Sequence, residues 1–467
     1  MTKVLKREMF SAIAAIDDAT IDYTLDVALK AFNRKIIVLD DDPTGVQTVN
    51  GVNVYTDWSE EAIESGFAEP NPMFFLLTNS RALSAEKTRE VHQSIAERIV
   101  RASKKFNRKF VVISRSDSTL RGHYPLETEV VRETFEREGY PIDGEVLMPF
   151  FAEGGRFTIN DVHYVQDGEF LIPAAETEFA SDKTFGYTRS NLAEYIEEKS
   201  DGQYKASDVM SISINELRAF NVDEIAARLE QVSEFNKVIV NAVAYVDVKV
   251  FVFALVKAMM SGKNFLFRTA AALPKVLGDV SDRPLLAREE LIDDENPNGG
   301  LIIVGSHVKK TTEQLNALKA VDGVDFIEFD VGNLDVEPII RAAEESMSEG
   351  RTAVIYTSRQ LMTLSSKEAS LAFSTKISAA LAVIVKRIKT RPRFLIAKGG
   401  ITSSDVGTLG LGVKRALVLG QVKPGIPVWK LGAESKFPGM SYIIFPGNVG
   451  NVDTLRELVE MFNAQES

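Results

Sequence analysis

Along this chain, short uninterrupted apolar runs alternate with longer stretches in which apolar residues recur every three or four positions. The runs have the length and β-branched content of buried strands, and the longer stretches have the period of amphipathic helices. In the first half the pattern predicts strands at 35–39, 73–77, 110–113, 144–148, 237–240 and 265–267. Between them, a helix is expected over 84–102, with Ser84 as its cap and Val91, Ile95 and Ile99 on one face. Another is expected to open at Pro125 and run through Val130, Val131 and Phe135. Polar residues, Pro and Gly crowd together over 282–300 and read as a linker. A second series follows, with strands at 301–304, 326–329, 353–356, 394–397 and 416–419 and helices at 311–320, 338–348 and 371–388. Strands alternating with helices imply an α/β, two-domain chain, each domain a mainly parallel sheet flanked by helices. The domains are expected at 1–285 and 286–467.

Composition narrows the function. A formal net charge of −12 over 467 residues, with no Lys/Arg-rich tract, argues against nucleic acid as a partner. An anionic small molecule stays open, because a few arginines can reverse the field inside a cleft. Absence of cysteine removes disulfides, thiolate nucleophiles and thiolate metal sites. Ile13-Ala14-Ala15-Ile16 stops at Asp17-Asp18, too short and too charged for a signal peptide, and no run approaches the ~20 apolar residues of a membrane span. A cytoplasmic protein without membrane contact is expected, with a homodimer as the default assembly.

The chemistry gathers in the loops after the strands. Asp40-Asp41-Asp42-Pro43-Thr44-Gly45 follows the run at 35–39. Crowded carboxylates at a strand end repel one another and help no fold, so proton transfer, a cation or a hydroxylated ligand is expected there. An acidic turn with Asx-type hydrogen bonds is the plain alternative. Thr78-Asn79-Ser80-Arg81 follows the next strand, and Ser114-Arg115-Ser116-Asp117-Ser118-Thr119-Leu120-Arg121-Gly122-His123 the one after. Hydroxyls and carboxylates suit a polyol, and the arginine fork suits a carboxylate. The Gly pair in Glu153-Gly154-Gly155-Arg156 reads as a turn, and His163 as a satisfied structural histidine.

In the second half, Lys398-Gly399-Gly400-Ile401-Thr402-Ser403-Ser404-Asp405 follows a strand. A strand, a Gly pair and a hydroxyl-rich helix start can present free N–H groups to phosphate, although the same turn also serves structure alone. Gly305-Ser306-His307, Thr357-Ser358 and Phe445-Pro446-Gly447-Asn448-Val449-Gly450 repeat the theme. No G-x-x-x-x-G-K-[S/T] occurs, G-x-G-x-x-G is absent, and four histidines without HExxH leave no metal ligands to name.

Asp41-Asp42-Pro43-Thr44-Gly45, Ser116-Asp117-Ser118-Thr119-Leu120-Arg121-Gly122 and Lys398-Gly399-Gly400-Ile401-Thr402, in that order, resemble the motifs of the four-carbon acid sugar kinase family. The resemblance implies a sugar-acid-binding N-terminal domain, a nucleotide-binding C-terminal domain, and an active site in the interdomain cleft. It places substrate contacts on Asp41, Arg81, Asp117, Ser118, Thr119, Leu120 and Arg121, with Asp41 and Asp42 as the catalytic candidates. ATP contacts would fall on Ser306, Thr357, Gly399, Gly400, Thr402, Ser403, Ser404, Asp405, Gly447 and Asn448, with Mg²⁺ accompanying ATP. Phe445-Pro446 stand where the family commonly has Lys-Ser, and 46–58 looks like a distinct branch. The expected activity is ATP-dependent phosphorylation of a tetronate, 3-oxo-tetronate or related sugar acid. Asp40-x-Asp42-x-Thr44 also satisfies the D-x-D-x-T motif of haloacid-dehalogenase-like phosphatases, with Asp40 as nucleophile and Asp42 as acid. A non-catalytic ligand sensor is the third reading.

Overall fold

The computed structural model describes residues 4–306, 308–358, 367–447 and 449–464. The chain forms two compact units, Met1–Thr48 with Asp57–Ser281, and Val49–Thr56 with Asp282–Ser467.

In the first unit, a parallel sheet runs in the order Met210–Ile212, Asn236–Val240, Gly144–Met148, Phe265–Thr269, Phe110–Arg115, Lys35–Asp40, Met73–Leu77. Its strands are mainly apolar and β-branched, as expected of a parallel sheet buried on both faces. Ile37, Val38, Phe74, Phe75 and Ile113 are all fully buried. The helix Ala85–Phe106 starts where Ser84 accepts the Lys87 N–H at 3.2 Å and ends at left-handed Asn107. It buries Val91, Ile95 and Ile99 and packs along Leu126–Arg137. Pro125 is the residue before that second helix rather than its first turn. Three strands run past the carboxyl ends of their apolar runs: Lys35–Asp40 takes in Asp40, Phe110–Arg115 takes in Ser114 and Arg115, and Phe265–Thr269 takes in Arg268 and Thr269. These polar residues are buried, and their partners lie at the sheet's carboxyl edge. A small antiparallel sheet, in the order Leu5–Lys6, Phe170–Pro173, Val162–Asp167, Arg156–Ile159, completes the unit and has no counterpart in the sequence reading.

The second unit has a parallel core in the order Val324–Phe329, Thr352–Thr357, Leu301–Val304, Leu395–Lys398, Ser441–Phe445. Ile426–Leu431, Arg415–Lys423 and Asn53–Tyr55 extend it as antiparallel strands. Helices Lys309–Leu318, Glu337–Ser348, Lys367–Arg387 and Thr454–Asn463 accompany the sheet. No helix among the described residues is long and apolar enough to cross a membrane.

Candidate functional site

In the first unit the chain passes from Lys35–Asp40 to Met73–Leu77 on one side, then crosses to Phe110–Arg115 on the other. Strand order therefore reverses at Lys35–Asp40, and ligands of open α/β sheets bind outside the carboxyl ends at such a reversal. The three polar loops found in the sequence all begin there. The Thr78 N–H donates to the Asp40 carbonyl at 2.8 Å, the Asp41 N–H to the Arg115 carbonyl at 3.3 Å, and the Ser116 N–H to the Thr269 carbonyl at 2.9 Å.

The three aspartates have different surroundings. Asp40 and Asp41 are 2% exposed. The Asp40 carboxyl lies against the Gly45 backbone and 3.5 Å from Arg115, and burial pushes its pKa up to about 8. Asp41 meets Arg81 Nε at 3.0 Å and Arg115 at 3.9 Å, yet neither of its buried oxygens accepts a hydrogen bond among the described residues. Burial raises its pKa to about 6, against the pull of Arg81 and Arg115. Asp42 accepts from the Thr44 N–H at 2.8 Å and the Thr44 hydroxyl at 2.6 Å and meets Arg81 at 2.7 Å. For Asp42, burial is outweighed by Arg81 and these hydrogen bonds, which hold it below the usual carboxylate range.

Asp40 differs from Asp41 in being packed against the Gly45 backbone, with its pKa raised further by burial. Asp294, in the acidic pair the phosphatase reading would need, is engaged by Arg288. Gly45 is required by this packing: a Cβ there would fall 1.9 Å from Asp40 Oδ2. Gly45→Ala is expected to cost about 1–3 kcal/mol of stability through this overpacking. Urea unfolding checks it, and an unchanged midpoint would mean the Asp40 carboxyl has room to move aside.

Arg81 bridges the loops, since its guanidinium also comes within 3.9 Å of Asp117. Left-handed Asn79 sets the turn that carries it. Asp117 takes Arg121 Nε at 2.6 Å and the Thr119 hydroxyl. Burial of Asp117 is outweighed by Arg81 and Arg121, so it stays ionised. Behind this loop, successive backbone carbonyls are each gripped by a side chain from elsewhere. His163 Nε2 meets the Ser118 carbonyl at 2.8 Å, the Tyr187 hydroxyl donates to Thr119 at 2.8 Å, and the Tyr195 hydroxyl donates to Leu120 at 2.8 Å. Arg268 donates to the Arg121 carbonyl at 2.9 Å. Because a carbonyl only accepts, His163 carries its proton on Nε2, and burial lowers its pKa to about 4. The grip fixes Leu120 at φ +69°, a left-handed conformation rare for such a residue.

Sequence motifs gave no hint of Glu127. This buried helix carboxylate accepts from Ser80 at 2.6 Å, Ser116 at 3.4 Å and Ser114 at 3.5 Å, tying the Arg81 turn to the Asp117 loop. Arg268 was equally hidden, a lone charge closing an apolar strand.

The second unit repeats the topology. Leu301–Val304 has Thr352–Thr357 on one side and Leu395–Lys398 on the other, and the chain visits the first side before the second. Continued one residue past the strand pairs, the register sets Gly305, Thr357, Gly399 and Pro446 abreast. Gly399 has φ +116°, and its N–H donates to the Phe445 carbonyl at 2.8 Å. The loops interlock closely: a Cβ on Gly305 would meet Thr402 Oγ1 at 2.2 Å, and one on Gly447 would meet Ser306 Oγ at 2.8 Å. The Thr311 hydroxyl joins the two, 3.2 Å from Ser306 Oγ and 3.0 Å from the Gly447 carbonyl. Gly400–Asp405 is helical and continues as a π-helix through Gly410. The Ser403 hydroxyl donates to the Ala397 carbonyl at 2.8 Å. Thr402 and Ser404 are buried, and Asp405 is half-buried with its pKa raised by burial. His307 and Asn448 lie outside the described residues. Among the described residues no group of three or more His, Asp or Glu side chains is placed to hold a metal ion.

Residues 36–277 match the sugar-binding N-terminal domain family, and residues 301–455 match the nucleotide-binding C-terminal domain family. The curated proteins give no significant match. Among solved structures, a Salmonella typhimurium LT2 protein with a provisional tRNA synthase designation superposes with a TM-score of 0.64 at 16% identity, covering 90% of this chain and 98% of its own. Haemophilus influenzae protein HI1011 superposes at 0.60 and 16% identity, covering 91% and 100%. At this identity the likeness shows a shared fold alone. The chain belongs to the family in which a sugar-binding N-terminal domain precedes a nucleotide-binding C-terminal domain, the architecture of the four-carbon acid sugar kinases.

Proposed function

We propose that the protein transfers the γ-phosphoryl group of ATP to a hydroxyl of a short sugar acid, a tetronate, a 3-oxo-tetronate or a close relative. The observation that carries this reading is the Asp41 carboxylate, buried at the strand reversal and ion-paired with Arg81, with neither oxygen accepting a hydrogen bond among the described residues. A buried acceptor without a donor is costly, and a substrate hydroxyl would satisfy it. Its raised pKa, about 6, suits a general base near neutrality. In the proposed step the acceptor oxygen attacks the γ-phosphorus, its proton passes to Asp41, and the bond from the γ-phosphorus to the ADP oxygen breaks. Asp42 and Arg81 hold Asp41 in place, while the hydroxyls of the Asp117 loop hydrogen-bond the remaining substrate oxygens. Backbone N–H groups at Gly400–Thr402, the start of the helix that follows Gly399, and of the Ser306 loop are assigned to the ATP phosphates, whose Mg²⁺ arrives as part of the substrate.

A coupled ADP-release screen over four- and five-carbon sugar acids tests the reading. Turnover is expected with one stereochemical class of tetronate or oxo-tetronate. ADP release no faster with any sugar acid than with water would overturn it.

A further inference from the structure

We propose that Arg156 reads the substrate's carboxylate, acting with Arg121 across the ring of Phe179; this rests on the sugar-acid reading above. Arg156 opens the small antiparallel sheet directly after Gly154-Gly155. Its backbone is pinned to Phe151 in both directions, at 2.9 and 3.0 Å. Its guanidinium carbon stands 5.6 Å from the Phe179 ring centre, and that of Arg121 stands 5.1 Å from the same centre. Two cations thus share one aromatic ring beside the Asp117 loop.

Lack of an anion separates Arg156 from Arg81, Arg115 and Arg121; Arg268 has no ion pair among the described residues either, but it donates to the Arg121 carbonyl. Arg81 is held by Asp41 and Asp42, Arg115 lies against Asp40, and Arg121 is held by Asp117. The buried Arg156 Nε has no hydrogen-bond partner, and no carboxylate forms an ion pair with Arg156 among the described residues. Burial pushes its pKa below the ordinary arginine range; Asp117 opposes that and Arg121 reinforces it. An arginine here stays charged, so its half-buried charge has to be offset by something. A carboxylate seated between Arg156 and Arg121 offsets it and accepts the planar fork's hydrogen bonds. The substrate's hydroxyl end would then lie toward Asp41, on the far side of the Arg81–Asp117 contact.

The test compares a responsive tetronate with the uncharged four-carbon polyol of the same stereochemistry, by calorimetric binding and by steady-state kinetics. Arg156→Met keeps the stem on Phe179 and removes the charge. It is expected to weaken tetronate binding about 100-fold. The loss should fall on KM rather than kcat, with KM for ATP and polyol binding unmoved. Arg156→Lys should recover part of the loss. Equal weakening for acid and polyol, or a preference for the acid that survives in Arg156→Met, overturns the assignment while leaving the kinase reading intact. A wild-type protein that binds tetronate no better than polyol overturns both.

Discussion

Asp41→Asn is expected to lower kcat on the responsive sugar acid about a thousandfold, the scale lost when a positioned base is removed. Asparagine keeps the shape and can still orient the hydroxyl, so KM for ATP should not move. The pH profile supplies an independent signature. Burial raises the Asp41 pKa above the ordinary aspartate range to about 6, so wild-type kcat/KM should climb as pH rises through about 6 and the base loses its proton. An unshifted aspartate would place that limb about two units lower. In Asp41→Asn the limb should vanish. Activity within tenfold of wild type, or a limb that persists in the variant, would remove Asp41 from proton transfer.

The largest stability effect is expected away from the site. Lys237 and Glu145, paired on adjacent strands, are fully buried and meet at 2.6 Å. The Lys237 ammonium also lies 3.8 and 3.6 Å from the ring centres of Tyr204 and Phe235, and the Tyr124 hydroxyl reaches Glu145 at 3.2 Å. Lys237→Met leaves Glu145 buried with only that hydroxyl, and should cost about 3–5 kcal/mol. Thermal melting of the full chain should show a fall on the order of 10 °C. Adding Glu145→Leu should restore much of it, because an apolar pair of similar volume needs no charge compensation. A midpoint unmoved by Lys237→Met alone would show that the two charges do not depend on each other.

The legible parts of this chain were those whose cause is local. Parallel strands buried on both faces are rich in apolar residues, so Leu301–Val304 stands at the bounds its run predicts, and so does Gly144–Met148, whose one charge, Glu145, is paired with Lys237. The Phe110–Arg115 strand ran past its apolar signal because Ser114 and Arg115 are buried by tertiary partners, which no window of sequence displays. The helix Tyr245–Met260 is buried nearly all round and so shows no amphipathic period to read. The strands over Arg156–Pro173 mix polar and apolar residues in pieces too short to stand out. Within the site, Asp41, Arg81 and Asp117 announced themselves in dense polar loops. Glu127, Arg156 and Arg268 are single charges in unremarkable surroundings, brought in by folding from other elements. Arg268 beside an apolar run and Arg156 beside a glycine pair are local inconsistencies of the kind that can mark functional positions, whereas Glu127, among other polar helix residues, leaves no such signal.

Strand Asn53–Tyr55 pairs with Arg415–Leu417, although it precedes the rest of its unit by more than two hundred residues. A polypeptide cut to begin at Asp282 would carry the whole nucleotide-binding domain match, 301–455, but would leave the Arg415–Lys423 strand with a bare rank of amides and carbonyls. Such an unsheathed border invites stacking against copies of itself. The C-terminal unit thus takes the strand that covers this border, Asn53–Tyr55, from a segment far upstream of its own continuous stretch.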